Sequence, residues 1–367
     1  MKYIFFTFNV VFDASGHFLV FLIWRYFFGL DNLYLQLAVA FILLMNLLGT
    51  ILSPVLIHWR DNALSRSVYL LFFGLWSGFV LNTVLTAAVF FLGAYLGIFS
   101  ASVWTPLAKS LFIGLVPLLM LLPEAWLAQA TKVKTRTVRI KDLPEAWIGR
   151  EVVHISDIHL GPIWRQRFFD KLIRKIETLQ AAAIFITGDL FDGMEADFSW
   201  FKHRKFFAPL GVFYVFGNHD LILGTDKVRS LLTESNIEIL DNSMKEVSGL
   251  QILGLTCYYE GRLDVKGKIL AQVGYNPQRP SILMYHEPKD IEAARTAGID
   301  LQLSGHTHGG QMFPFNLLAK ILFKGFSSGV HHLRGFTISI SAGVGTWGPP
   351  LRLGSRSEIV VLKLLKA

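Results

Sequence analysis

Four apolar runs, near residues 3–24, 33–57, 68–97 and 107–128, occupy the start of this 367-residue chain, and each has about the length of a bilayer-crossing helix. That pattern removes most alternatives, because hydrocarbon cannot bond to backbone N–H and C=O groups and only helices or closed barrels satisfy them internally. Composition agrees. The chain is 52% hydrophobic and 17% charged, with a mean hydropathy of +0.45, and the apolar excess is N-terminal. Pro106, Pro117 and Pro123 fall in or near the fourth run, where bundle neighbours can satisfy the backbone groups they free. No small-residue cleavage site follows the first run and further apolar segments do, so the expectation is an uncleaved multi-pass α-helical domain over residues 1–130 and a second domain over 131–367.

The cations orient the first domain. Lys2, then Arg60 and Arg66, then Lys132, Lys134, Arg136, Arg139 and Lys141 fall on one side, against Arg25 and Lys109 on the other. The positive-inside rule then places both termini, and the second domain, on the cytoplasmic side of the cell (inner) membrane. The single cysteine, Cys257, leaves no internal disulfide and fits a reducing compartment. A net charge of +8 and a pI near 9.5 raise nucleic acid as a partner. However, the cations from Lys132 to Lys141 alternate with Val133, Thr135, Thr137, Val138 and Ile140, as in a strand leaving a membrane surface, so lipid headgroups are the nearer partner. Asp13 and His17, four apart on one face of the first run, would suit a transport pathway, but an interhelical hydrogen-bonded pair is the preferred reading.

Residues 131–367 alternate strand-like and helix-like segments. Strands at 151–156, 183–187 and 212–216 lead to helices at 165–180, near 197–207 and near 225–234. Later segments at 237–240, 245–248, 251–256, 281–285, 300–303, 336–341 and 358–364 are rich in strand formers, which predicts a second, mixed sheet facing the first. Just past the strand-like runs come short polar phrases: Asp157-Ile158-His159, Gly188-Asp189, Gly217-Asn218-His219-Asp220, His286 and Gly305-His306-Thr307-His308. One D-x-H or H-x-H means little, and a lone strand histidine such as His154 is more often a satisfied structural group. In series, at the strand ends where α/β folds place their sites, carboxylates, imidazoles and one amide make the donor set of a two-metal centre. Asp192 fits either a partner for a ligand histidine or a carboxylate at a helix start.

The order of these phrases resembles that of the calcineurin-like metallophosphoesterases over roughly residues 133–367, and Gly309-Gly310-Gln311 with Gly345 to Pro350 resembles a membrane-attached branch. The resemblance implies an αββα sandwich of two mixed sheets and two divalent metal ions. It implies Asp157, His159 and His308 on the first metal, Asn218, His286 and His306 on the second, and Asp189 between them. His219 resembles the histidine that protonates the leaving group or holds the phosphate, with Asp220 orienting its ring. Where that branch often has Ser-Arg-Gly, this chain reads Ser341-Ala342-Gly343.

These readings lead to a membrane-anchored, metal-dependent phosphoester or pyrophosphate hydrolase acting on a phosphorylated, lipid-type substrate. Mn, Fe, Zn or Ni suits the mixed donors better than Mg. The alternatives are a nucleotide phosphodiesterase or nuclease, and a channel or transport protein carrying an inactive phosphoesterase domain. Arg334 and Arg352 flank the late Gly-Thr-Trp-Gly-Pro-Pro phrase and are candidates for substrate phosphate. After His308, Leu317, Leu318, Ile321 and Leu322 share one helical face and Lys320 and Lys324 another, the pattern of an interfacial helix or of one facing a core. With the interfacial reading, the nearest resemblance is to UDP-2,3-diacylglucosamine hydrolases.

Overall fold

The computed structural model describes residues 2–202, 204–256, 270 and 272–367, with side chains from residue 10 onward, so Cys257 and the side chain of Lys2 lie outside the described residues. Two compact units result: Met1–Trp126 with Gly348–Leu351, and Leu127–Trp347 with Arg352–Ala367.

The first unit is helical: α1 (Lys2–Phe28), α2 (Leu33–Trp59), α3 (Ala63–Tyr69), α4 (Ser77–Tyr95) and most of α5 (Pro106–Gln129). A π-helical stretch, Leu70–Trp76, joins α3 to α4 without a break, so the described residues contain four helices long and apolar enough to cross a membrane: Val10–Phe28, Leu33–Trp59, Ala63–Tyr95 and Pro106–Gln129. Caps mark where they begin. Asn32 accepts from the N–H groups of Tyr34 and Leu35, and Asn62 with Ser65 forms a capping box at α3. Buried polar groups inside the unit find partners across helices: the Trp76 indole donates to His17 Nε2 at 2.8 Å, and Asn82 donates to the Glu124 carboxyl at 3.0 Å. His17 therefore bonds to Trp76 and to the Asp13 carbonyl rather than to the Asp13 carboxylate. Gly348–Leu351 belongs here because Gly74 and Gly78 leave room for Pro350 and Leu351.

The second unit is a sandwich of two six-stranded mixed sheets. One runs β1 (Lys132–Ile140), β12 (Glu358–Lys366), β2 (Glu151–Ile155), β3 (Ala183–Thr187), β4 (Val212–Val215), β5 (Glu238–Ile239). The other runs β10 (Gly329–Leu333), β11 (Phe336–Ile340), β9 (Leu301–Ser304), β8 (Ser281–Tyr285), β7 (Leu250–Leu255), β6 (Ser243–Val247). The central strands are buried on both faces, which is why they read as continuous apolar runs. Phe185 and Phe213 meet Ile252, Met284 and Leu301 between the sheets. The outer face of the first sheet is covered by α6 (Gln166–Glu177) through Phe169, Leu172 and Ile176 and by α8 (Thr225–Leu232) through Val228 and Leu232, while α9 (Ile291–Thr296) adds Ala294 to the core on the second.

One expected helix is absent. Among the described residues of 197–207 there is only the 3-10 turn Ser199–Phe201, and Phe198, Phe201 and Phe206 reach the core from a loop although their i, i+3, i+8 spacing also fits one helix face. The hairpin strand β10 had no alternating signal strong enough to be read.

Candidate metal centre

Five strand ends supply the site. The residues after β2, β3 and β4 in one sheet, and after β8 and β9 in the other, bring Asp157, His159, Asp189, Asn218, His219, His286, His306 and His308 to one rim. The loops are bonded to one another before any side chain acts: Asp157 N–H donates to Gly188 O at 3.1 Å, His159 N–H to Asp189 O at 3.0 Å, and Gly305 N–H to His286 O at 2.8 Å. Glycine is required where these loops touch. A Cβ at Gly217 would strike Asp189 Oδ1, and one at Gly305 would strike Ser156 Oγ.

The backbone is strained at the same place. Asp157 (φ 51°), His159 (52°), Asp189 (52°), His306 (70°) and His308 (50°) all adopt left-handed conformations, which non-glycine residues visit rarely and at a cost of about 1–3 kcal/mol each. Five such residues on one rim are held there by the surrounding fold, and they aim short side chains inward that extended backbone would direct elsewhere.

Three overlapping clusters follow, each with ligand atoms within 4.8 Å of one another: Asp157, His159 and His308; His159, Asp189 and His219; Asp189, His286 and His306. In the first, His159 Nε2 and His308 Nε2 face each other at 3.1 Å, and Asp157 Oδ1 lies 3.4 Å from His308 Nε2. In the third, Asn218 Oδ1 sits 3.2 Å from His286 Nε2 and 2.9 Å from His306 Nδ1, and Asp189 Oδ2 is 3.1 Å from His286 Nε2. The outer nitrogens decide what the inner ones can do. His286 Nδ1 donates to Thr187 O at 2.7 Å and His159 Nδ1 to the Asp192 carboxylate at 3.1 Å, so in each neutral ring Nε2 is a lone pair aimed at oxygens and other imidazoles. Lone pairs converging on carboxylate and amide oxygens repel unless a cation or proton lies among them. The donor set therefore fits divalent metal ions.

The electrostatics agree. Burial works against charge on His286, yet the Asp189 carboxylate lifts its pKa to about 10. Burial would raise Asp189, but His286 and then His219 hold it well below the ordinary carboxylate range. The cluster thus draws in positive charge, and a metal ion taking that place would release the proton to solvent. His154 is a different case: fully buried between Ser339 and Thr187, it is held to about 3 by desolvation and serves structure.

Two residues do other work than the sequence implied. Asp220 does not orient His219; it accepts from Asp189 N at 2.7 Å, Gly217 N at 2.8 Å and Phe191 N at 3.1 Å, tying two ligand loops together. The His219 ring is instead held through Nδ1 by the Asp192 carbonyl at 2.8 Å, half-buried, with its centroid 4.8 Å from that of His159. Arg352 is fully buried, and its Nη groups donate to Gly345 O at 2.6 Å, Ala342 O at 2.8 Å, Ser355 Oγ at 3.0 Å and His308 O at 3.3 Å. A guanidinium so engaged clamps the loop under His308 and has no fork left for substrate phosphate. Arg334 is exposed in the turn between β10 and β11.

Gln311 was missed as a positioning residue. Its amide makes a two-point bond with the Trp347 backbone, 2.9 Å each way, and Trp347 stands 6.4 Å from the His219 ring. The only hint in the sequence was its place directly after Gly-His-Thr-His-Gly-Gly. The helix that follows, α10 (Phe315–Leu322), turns Ala319 inward and leaves Leu317, Leu318, Ile321 and Leu322 49%, 48%, 73% and 66% exposed, so it is not the core-facing helix that the pattern also allowed. Phe323, just beyond it, packs 6.2 Å from the His306 ring.

Known proteins are similar to this chain in sequence. Calcineurin-like phosphoesterases match residues 151–310. An uncharacterised metallophosphoesterase of Campylobacter jejuni is 36% identical over 64% of this chain and 63% of its own length. A Bos taurus protein described as a transmembrane protein with a metallophosphoesterase domain is 33% identical, over 65% and 58%. An uncharacterised metallophosphoesterase of Aquifex aeolicus is 28% identical, over 64% and 91%. The chain thus spans about three-fifths of the length of the first curated relatives it matches.

Removing the Asp192 carboxylate separates its two roles. Asp192→Ala is expected to weaken metal binding roughly 10- to 100-fold by freeing the His159 ring, while the backbone bond to His219 stays. Metal titration of the apoprotein measures it, and unchanged affinity would show that His159 needs no second partner.

Proposed function

From a chain whose residues 151–310 form a calcineurin-like metallophosphoesterase domain, we propose a membrane-anchored hydrolase that uses two divalent metal ions to cleave a phosphate ester or pyrophosphate bond of a lipid-linked substrate. One observation carries the two-metal reading: Asp189 belongs to the cluster containing His159 and to the cluster containing His286 and His306. Asp157, His159 and His308 would hold one ion, Asn218, His286 and His306 the other, and Asp189 both. The nitrogen-rich donors favour Mn, Fe, Zn or Ni over Mg. When bound, such a pair supplies a nucleophile of lowered pKa and neutralises charge developing on the phosphoryl oxygens.

The chain's own residues do the rest. Asp220 and the left-handed ligand residues hold the donors before substrate arrives, so little reorganisation is left for the reaction. His219, with Nδ1–H donating to the Asp192 carbonyl and its ring half-open to solvent, would in its imidazolium form carry a second proton on Nε2, give that proton to the departing oxygen and recover it from solvent. Trp347, 43% exposed, forms an apolar wall beside it, and Arg334 is a candidate for phosphate contact. The lipid reading rests on α10, whose exposed Leu317, Leu318, Ile321 and Leu322 come soon after the candidate ligands His306 and His308 and suit insertion at a membrane surface. Arg60, Arg66 and the cations of β1 support a cytoplasmic catalytic unit.

Asp189→Asn should lose most bound metal together with activity, since an amide cannot offer negative charge to two cations, whereas His219→Ala should keep its metal and lose roughly 100-fold or more in kcat. Metal analysis beside turnover checks both. Metal loss in His219→Ala, or full turnover in Asp189→Asn, would reverse the roles. Replacing Leu318 and Leu322 with Asp should impair hydrolysis of a long-chain lipid substrate and spare a small chromogenic phosphodiester. No loss on either substrate would remove α10 from the mechanism.

A further inference from the structure

A cationic cavity shares no lining residue with the His/Asp cluster. On the second unit a cavity of about 850 Å³ is lined by Arg165, Arg167, Lys171, Lys175 and Arg356, and no carboxylate lines it. Three of these cations, Arg167, Lys171 and Lys175, recur every four residues along α6, so they stack on one helix face as like charges that destabilise the helix unless an anion lies against them. The neighbouring carboxylate does not serve. Asp170 is taken by Arg204 at 2.7 Å. Arg165, Gln166 and Arg167 are the N-cap and first two residues of α6, so the positive end of the helix dipole also opens on the cavity.

Apolar side chains share the lining with the cations. Trp164 and Phe168 lie with ring centroids 4.6 Å apart, joined by Ile163 and Leu172, so the cavity offers apolar contact for a glycerol backbone or the root of an acyl chain beside cations for a charged group. The chain itself fixes the setting. Gln129, Ala130 and Thr131 complete the lining, and Gln129 is the last residue of α5, one of the helices long enough to cross a bilayer. Lys175 donates to the Thr131 carbonyl, binding α6 to this exit segment.

We infer that this cavity binds the phosphate of an anionic phospholipid headgroup where the chain leaves the membrane. The phosphate chemistry alone would also admit free inorganic phosphate, and the experiment separates the two. It does not depend on the hydrolytic reading, since no metal ligand takes part.

Full-length protein in non-ionic detergent is examined by native mass spectrometry with phosphatidylglycerol and phosphatidylcholine of equal chain length. Wild type is expected to prefer phosphatidylglycerol, and Arg167→Glu/Lys171→Glu to bind it roughly ten- to hundredfold more weakly, because each cation near an anionic surface changes binding about fivefold and reversal adds repulsion. Both residues are exposed, so the variant should keep its thermal transition and metal content. Lys132→Glu/Arg136→Glu, on β1 and outside the cavity, should retain the preference. Retention against millimolar inorganic phosphate assigns the site to lipid, whereas displacement by inorganic phosphate overturns the lipid source. Equal binding of both lipids, or equal loss in the β1 variant, overturns the site.

Discussion

Everything at the rim of the sandwich turns on lone pairs forced together out of water. Asp189, 2% exposed, faces His286 Nε2 at 3.1 Å and His159 Nε2 at 3.8 Å, and both rings are locked with their outer nitrogens donating to Thr187 O and Asp192. Such an assembly is unfavourable without positive charge in its centre. The fold tolerates it because each ligand loop is bonded to the next through backbone groups, and because Asp220 accepts three N–H groups from the loops that carry Asp189 and Asn218. Burial and the Asp189 charge raise the pKa of Asp220 to about 6, which its position as a carboxylate beside another carboxylate explains.

The candidate metal ligands are legible in the sequence because their chemistry is tied to strand ends, and strand ends are written as the close of an apolar run. Asp157 follows β2 by two residues, Asp189 follows β3 by two, and His286 follows β8 directly. The strands were legible for the same reason, although 237–240 and 358–364, read into the second sheet, pair in the first as β5 beside β4 and β12 between β1 and β2. What could not be read depends on where backbone groups end up in space. Asp220 looks like a partner for the histidine beside it, yet its oxygens meet N–H groups brought from Gly188-Asp189 and beyond. Arg352 reads as a candidate for substrate phosphate, and only the loop carbonyls of Ala342 and Gly345 show why it is buried instead. The left-handed conformations of five ligands leave no mark in residue type. The loop at 197–207 reads as a helix because Phe198, Phe201 and Phe206 are spaced as on one helix face, yet among the described residues they reach the core around a single 3-10 turn.

The stretch from Trp347 to Arg352 connects several parts of the structure. Gln311 fixes Trp347 beside His219, Gly348–Leu351 belongs to the helical unit, and Arg352 returns to clamp the loop beneath His308. Six consecutive residues therefore run from the rim into the helical unit and back. The exposed face of α10 and the cationic cavity beside α6 are separate features of the same unit, one apolar and one charged, and a phospholipid surface offers both kinds of contact.

The central claim is that Asp189 joins two metal ions in one site. Electron paramagnetic resonance of the protein reconstituted with Mn(II) tests it most directly, because two manganese ions sharing a carboxylate couple magnetically. A spin-coupled dinuclear spectrum that collapses to that of isolated ions in Asp189→Asn is the predicted result. A wild-type spectrum of isolated Mn(II) alone, at full metal loading, would contradict it.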